Sequence, residues 1–313
     1  MPNLQVSLST SSCRLVLNNP VLTASGTFGY GLEFMPYGDV RQLGGIVVKG
    51  LSLKPRRGNA MPRVAETASG MLNAVGLQNC GVDIFLRDKL PQLPWKDVAV
   101  FANMYATDLH EYAQLAHILS SQEGIAGLEV NISCPNVQAG GILFGQDPVL
   151  AGKVTETVKA HAGKKPVMVK LSPNVTDITA IARACENSGA DMLSCINTLQ
   201  GMAVDVQTRK PRLANVIGGL SGPAVKPVAL RCVWQTANAV RIPVIGLGGI
   251  ATADDILEFI LVGAHAVQIG TANFMRPDAA FALARELPAR MAELGIDSLD
   301  ALRGTLSVAG NAS

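Results

Sequence analysis

One stretch, Gly127-Leu-Glu-Val-Asn131-Ile-Ser-Cys134-Pro-Asn136, runs from apolar residues into a cluster of polar groups. Asn131 supplies an amide that both donates and accepts, and Cys134 supplies a thiol that can ionise to a thiolate. Pro135 has no backbone N–H and stops a strand. An apolar strand that breaks off into Asn, Ser, Cys and Asn puts reactive groups at its carboxyl end. A lone cysteine before a turn is equally a small core residue, so the reading depends on what surrounds it.

Seven further short apolar runs end in the same manner. With 127–133 they make eight: 21–25, 45–49, 98–103, 127–133, 166–171, 192–197, 243–248 and 266–270. At or near their ends stand Ser25, Lys49, Asn103, Asn131, Lys170, Asn197, Gly248 and Gly270, none of them a large hydrophobe. Each alone could simply terminate a strand; together they predict a ligand site assembled from strand ends. Lys49 and Lys170 close apolar strands, where an ammonium is costly unless it meets an anion or water. Gly246-Leu-Gly248-Gly249-Ile250, before a helix that opens at Ala-Thr252-Ala-Asp254, and Ile269-Gly270-Thr271 expose backbone N–H groups suited to phosphate. Gly70 to Asn79 is an apolar loop with amides at its ends, and Asn197-Thr198 adds an amide and a hydroxyl. Neutral donors and acceptors in this number suit a planar ligand rich in C=O and N–H groups.

The elements that must hold these residues follow from periodicity. Near-continuous apolar strands alternate with helical patterns at 109–119, 148–160, 175–188, 223–239 and 253–262. This predicts an α/β fold with a parallel sheet covered by helices, and eight units favour a closed (β/α)8 TIM barrel. Residues 4–8 and 14–17 alternate around a Ser/Thr turn and predict an N-terminal β-hairpin. Two connections are too long for a plain unit: 50–78 after the second strand and 199–221 after the sixth. Loops of that length on the carboxyl side of strands are expected to be lids or subunit contacts. Residues 135–146, rich in glycine, are a candidate lid. No linker divides the chain, so one domain over 1–313 is expected.

The bulk numbers exclude several classes. The chain has 313 residues, 48% hydrophobic and 16% charged, with a net charge of +2 and no run of like charge, which argues against nucleic-acid binding. No stretch reaches the ~18 apolar residues of a membrane span. The six cysteines, Cys13, Cys80, Cys134, Cys185, Cys195 and Cys232, form no C-x-x-C pair, and no metal or iron–sulfur spacing is present. Dispersed thiols without a leader predict a cytoplasmic protein.

Nearly end to end, from Ala24-Ser-Gly-Thr-Phe-Gly29 to Ile269-Gly-Thr271, the chain resembles the class 1 dihydroorotate dehydrogenases, FMN-dependent enzymes of pyrimidine synthesis. The most specific pieces are Asn73-Ala-Val-Gly-Leu-Gln-Asn79, Asn131-Ile-Ser-Cys-Pro-Asn136, Val169-Lys-Leu-Ser-Pro173, Ile196-Asn-Thr198 and Leu220-Ser-Gly-Pro-Ala-Val-Lys-Pro227. Asn136 to Gly141 and Leu220 to Pro227 resemble the class 1B branch. Membrane-attached class 2 enzymes carry serine in place of Cys134 and an N-terminal extension, features not found here. The resemblance implies oxidation of (S)-dihydroorotate to orotate, with Cys134 as the catalytic base at C5 and FMN receiving hydride from C6. It assigns Lys49, Asn73, Ala74, Val75, Gly76, Leu77, Asn131, Asn197 and Thr198 to the substrate. It assigns Ser25, Lys49, Gly50, Asn103, Asn131, Lys170, Ile196, Gly222, Gly248, Gly249, Gly270 and Thr271 to FMN. The remaining cysteines have no such role.

The same resemblance implies an exit for electrons. The chain lacks both iron–sulfur spacing and a Gly-x-Gly-x-x-Gly opening for NAD. The class 1B resemblance implies a partner subunit carrying FAD and [2Fe–2S] that passes electrons to NAD, with a homodimer of this chain inside a heterotetramer. Two other readings use the same barrel: a class 1A-like homodimer linked to fumarate, and an FMN barrel like that of dihydropyrimidine dehydrogenase, whose substrate has no carboxylate.

Overall fold

The computed structural model describes residues 2–10, 13–133 and 144–308. Eight parallel strands follow one another around a closed barrel: Val21–Thr23, Gly45–Val47, Ala99–Met104, Gly127–Asn131, Val167–Leu171, Met192–Cys195, Val244–Leu247 and Ala266–Ile269. The eighth strand pairs with the first, Val267 opposite Val21, which closes the ring. All eight were expected from the apolar runs, and together they make the fold a (β/α)8 TIM barrel. The strands are buried on both faces, as a barrel lined by side chains and ringed by helices requires.

The surrounding helices begin where short polar side chains satisfy their first N–H groups. Asp108, Asp147 and Asp177 accept from Glu111, Leu150 and Thr179 at the starts of helices Leu109–Ser120, Pro148–His161 and Ile178–Asn187. Lys226–Ala239 and Ala253–Leu261 continue the ring. Helix Ala279–Glu293, the long helix after the eighth strand, buries Phe281, Leu283 and Leu287 beside the first strand. The N-terminal hairpin is present but short: Val6–Ser7 pairs antiparallel with Val16–Leu17. Val6 and Leu17 are buried.

The two long connections do not behave as separate loops. They supply the strands of one four-stranded antiparallel sheet, in the order Leu199–Met202, Ile217–Ser221, Gly70–Asn73, Val64–Thr67. Gly219 pairs with Asn73, and Leu199 with Leu220. Periodicity did not reveal this cap sheet, because its strands are short, glycine-rich and half exposed.

Candidate active site

A cavity of about 580 Å³ opens at the carboxyl end of the barrel strands, beneath the cap sheet. Every described residue that the sequence assigned to a ligand lines it: Ser25, Lys49, Gly50, Asn73, Ala74, Val75, Gly76, Leu77, Asn103, Asn131, Lys170, Ile196, Asn197, Thr198, Gly222, Gly248, Gly249, Gly270 and Thr271. Asn103, Asn131 and Lys170 lie at or near the strand ends. Ser25, Lys49, Asn197, Gly248 and Gly270 occupy the first residues beyond them. Cys134 and residues 135–143 of the candidate lid lie outside the described residues. Phe144–Gln146 forms one turn of 3₁₀ helix, and Gln146 reaches the cavity.

Two lysines bring positive charge to the wall. Lys170 is 5% exposed, and its Nζ donates to Ser25 Oγ at 3.3 Å. Burial pushes the Lys49 ammonium below its usual pKa, and the nearby Arg63 adds to the effect. Neither lysine has a carboxylate ion-pair partner among the described residues. A cavity so built favours an anion.

Beside the lysines the amides form a connected rim. Asn131 Oδ1 accepts from Ser133 N at 3.1 Å and from Asn197 Nδ2 at 3.3 Å. Asn197 Oδ1 accepts from Thr198 N at 2.8 Å. Asn73 Nδ2 donates to Gly219 O at 3.2 Å, within the cap sheet. Tyr112 holds the same end of the fourth strand, its hydroxyl donating to Asn131 O at 2.8 Å.

Across the cavity, three backbone segments meet where side chains would not fit. Gly249 has φ 82°, and a Cβ there would stand 2.9 Å from Gly222 O and from Lys226 N. Gly222 has φ 97°, and its Cβ would strike Gly70 Cα at 2.7 Å. Thr271 Oγ1 donates to Ser221 Oγ at 2.8 Å and joins the eighth-strand loop to this cradle. The helix Ala253–Leu261 is already capped from within: Asp255 accepts from the N–H groups of Ala251 and Thr252, each at 2.8 Å, while Thr252 Oγ1 accepts from Asp255 N. The N–H groups of Ala251, Thr252 and Asp255 are spent in this box, and the backbone of Gly248 and Gly249 lines the cavity.

Sequence reasoning missed several polar groups here. Asn174 bridges two loops: its Nδ2 donates to Thr198 O at 2.9 Å, and its Oδ1 accepts from Gln200 N at 3.0 Å. It follows Ser172-Pro173 after the Lys170 strand, so its position past a strand end was a usable signal. Glu129 and Gln268 gave none, since both sit inside apolar runs. Glu129 is fully buried and accepts from Asn103 Nδ2 at 2.6 Å, Ser194 Oγ at 2.9 Å and Gln268 Nε2 at 2.7 Å. Of the other cysteines, Cys185 and Cys195 are buried, which raises both thiol pKa values, that of Cys185 to about 11. Neither is poised as a thiolate.

Comparison with known proteins agrees with this geometry. The family model described as dihydroorotate dehydrogenase matches residues 7–291. A protein of Solidesulfovibrio magneticus named dihydroorotate dehydrogenase B (NAD(+)), catalytic subunit, is 71% identical over 292 residues, covering 93% of this chain and 95% of its own. Proteins of the same name from Maridesulfovibrio salexigens and Geotalea daltonii are 66% identical over 294 residues and 54% over 307. They cover 94% and 98% of this chain, and 96% and 99% of their own. With a family match over most of its length and relatives this similar end to end, the chain belongs to the dihydroorotate dehydrogenase family.

Proposed function

We propose that the chain is the catalytic subunit of a class 1B dihydroorotate dehydrogenase. It oxidises (S)-dihydroorotate to orotate in pyrimidine synthesis and delivers the electrons to NAD through a partner subunit. The observation that carries this reading is the convergence of all the assigned residues, apart from Cys134, on one cationic cavity at the barrel mouth. The residues fit FMN. The Gly222, Gly249 and Gly270–Thr271 backbone leaves a cradle for a phosphate, and Lys170 and Ser25 meet deep in the wall. When bound, FMN supplies the acceptor for the hydride that leaves C6.

The chain's own residues do the rest. Cys134, as thiolate, removes the C5 proton and keeps it on sulfur. Lys49 takes the substrate carboxylate, an anion that offsets the cost of its buried ammonium. Asn73, Asn131, Asn197 and Thr198 orient the ring through its C=O and N–H groups. Lys170 holds positive charge where negative charge builds during hydride transfer. The partner carries FAD and [2Fe–2S], as the resemblance to the class 1B branch implies. Met202, Val204, Val206 and Ile217 are exposed on and beside the cap sheet. They supply apolar area for the homodimer within a heterotetramer. The whole chain acts as one barrel domain, in the cytoplasm.

A steady-state assay tests the reading. The isolated chain with bound flavin should reduce an artificial dye with dihydroorotate but not with dihydrouracil, and should form no NADH until the partner subunit is added. Equal turnover of dihydrouracil would favour a dihydropyrimidine dehydrogenase-like enzyme, and turnover with fumarate alone a class 1A-like one.

A further inference from the structure

Beneath the cavity the barrel interior contains a polar layer that none of the assigned roles uses. Glu129 from the fourth strand, Ser194 from the sixth and Gln268 from the eighth meet on the axis, the alternate-strand arrangement of a barrel layer. Asn103 from the third strand joins them from the cavity side. The three hydrogen bonds to Glu129 from the described residues all come from donors, two on Oε1 and one on Oε2. This decides an orientation that an amide's shape leaves open. The N–H ends of both Asn103 and Gln268 must point at Glu129, so their carbonyl ends point away from it. Gln268 lines the cavity and is 1% exposed, and its Oε1 is buried with no hydrogen-bond partner among the described residues. A buried acceptor left unmade costs stability.

We propose that Gln268 is a ligand-recognition residue whose Oε1 accepts from the N3–H of the flavin ring, and that Glu129 is the positioning residue that fixes its polarity. The inference rests on the flavin reading above. It assigns the floor of the cavity to an N–H edge, because a ligand carbonyl there would face acceptors. Asn103 Oδ1 belongs to the same acceptor floor, beside Gly50, where a Cβ would approach it to 2.8 Å.

The test uses FMN and N3-methyl-FMN, which differ only at that N–H. Flavin-free protein is titrated with each, and quenching of flavin fluorescence gives the dissociation constants. Wild type should bind the methylated flavin roughly 10- to 100-fold more weakly, the worth of one buried hydrogen bond. Gln268→Met keeps the volume without the acceptor: FMN should weaken by a similar factor, and the two flavins should then bind within about threefold of each other. Glu129→Gln turns one accepting oxygen into a donor, frees one amide to invert, and should narrow the discrimination too. If either variant is too unstable to titrate, Gln268→Asn, which draws the acceptor back by one methylene, should also narrow it. Equal binding by wild type overturns the assignment. So does full discrimination in Gln268→Met or Gln268→Asn, since steric exclusion of the methyl then suffices. Failure of wild type to bind either flavin overturns the flavin reading and this inference with it.

Discussion

In the proposed reaction two side chains, Lys49 and Cys134, carry most of the chemistry at the residue scale. Lys49 is held below its ordinary pKa by burial and by Arg63. A carboxylate beside it restores the charged form, so ligand binding draws in a proton whenever Lys49 is partly neutral. Orotate affinity should therefore fall as pH rises through the depressed pKa. Lys49→Gln should bind orotate about 10- to 100-fold more weakly, the range of a charge-assisted hydrogen bond, and without that pH dependence. Titration calorimetry across the alkaline range checks both. Cys134→Ala should keep flavin but slow its reduction by dihydroorotate about 10²- to 10⁴-fold, the usual worth of a positioned base. Stopped-flow absorbance measures the rate, and unchanged reduction at neutral pH would remove Cys134 from the role.

At the scale of elements, the cap sheet brings the Asn73 loop and Thr198 to the same cavity. Gly219 lies against Thr198, where a Cβ would fall 2.1 Å from Oγ1. Gly219→Ala should push Thr198 and the Asn73 loop apart at about 1–3 kcal/mol of overpacking. Orotate binding should weaken while flavin stays bound, which gel filtration followed by orotate titration would show. The barrel strands were legible because each is a short, nearly unbroken apolar run with a polar or glycine end. The cap sheet was not, since its central contact joins Asn73 to Gly219, 146 residues apart, through strands without alternation. Glu129 and Gln268, 139 residues apart, come together only when the barrel closes. A charged residue inside an apolar strand gave no hint of its partners. Thr252 was legible as a helix start, and it pairs with Asp255 in a capping box at the head of helix Ala253–Leu261.

The whole molecule has its site at one barrel end and a titratable group at the other. His265, just before the eighth strand, is held at a pKa of about 4, mainly by burial and further by Arg303, with Asp300 opposing. Its Nδ1 accepts from Val244 N at 3.4 Å, a contact that needs the neutral ring. A lowered histidine pKa leaves stability intact above the unfolded value of 6.5 and costs stability as pH falls from there to about 4. The loss should reach at most about 3 kcal/mol. His265→Gln should flatten this part of the profile, as thermal unfolding at pH 4.5 and 7 would reveal; an unchanged acid slope would put the titration elsewhere. The two ends make separate demands, so acid sensitivity and catalysis should vary independently. The central claim is that the cavity is a complete dihydroorotate-oxidising site whose electrons leave through another protein. The most direct test is anaerobic: dihydroorotate is added to the isolated flavin-loaded chain, and the visible flavin band is followed through one turnover. The account predicts rapid bleaching that NAD alone does not reverse. A band that stays yellow, in a protein that holds flavin, would contradict it.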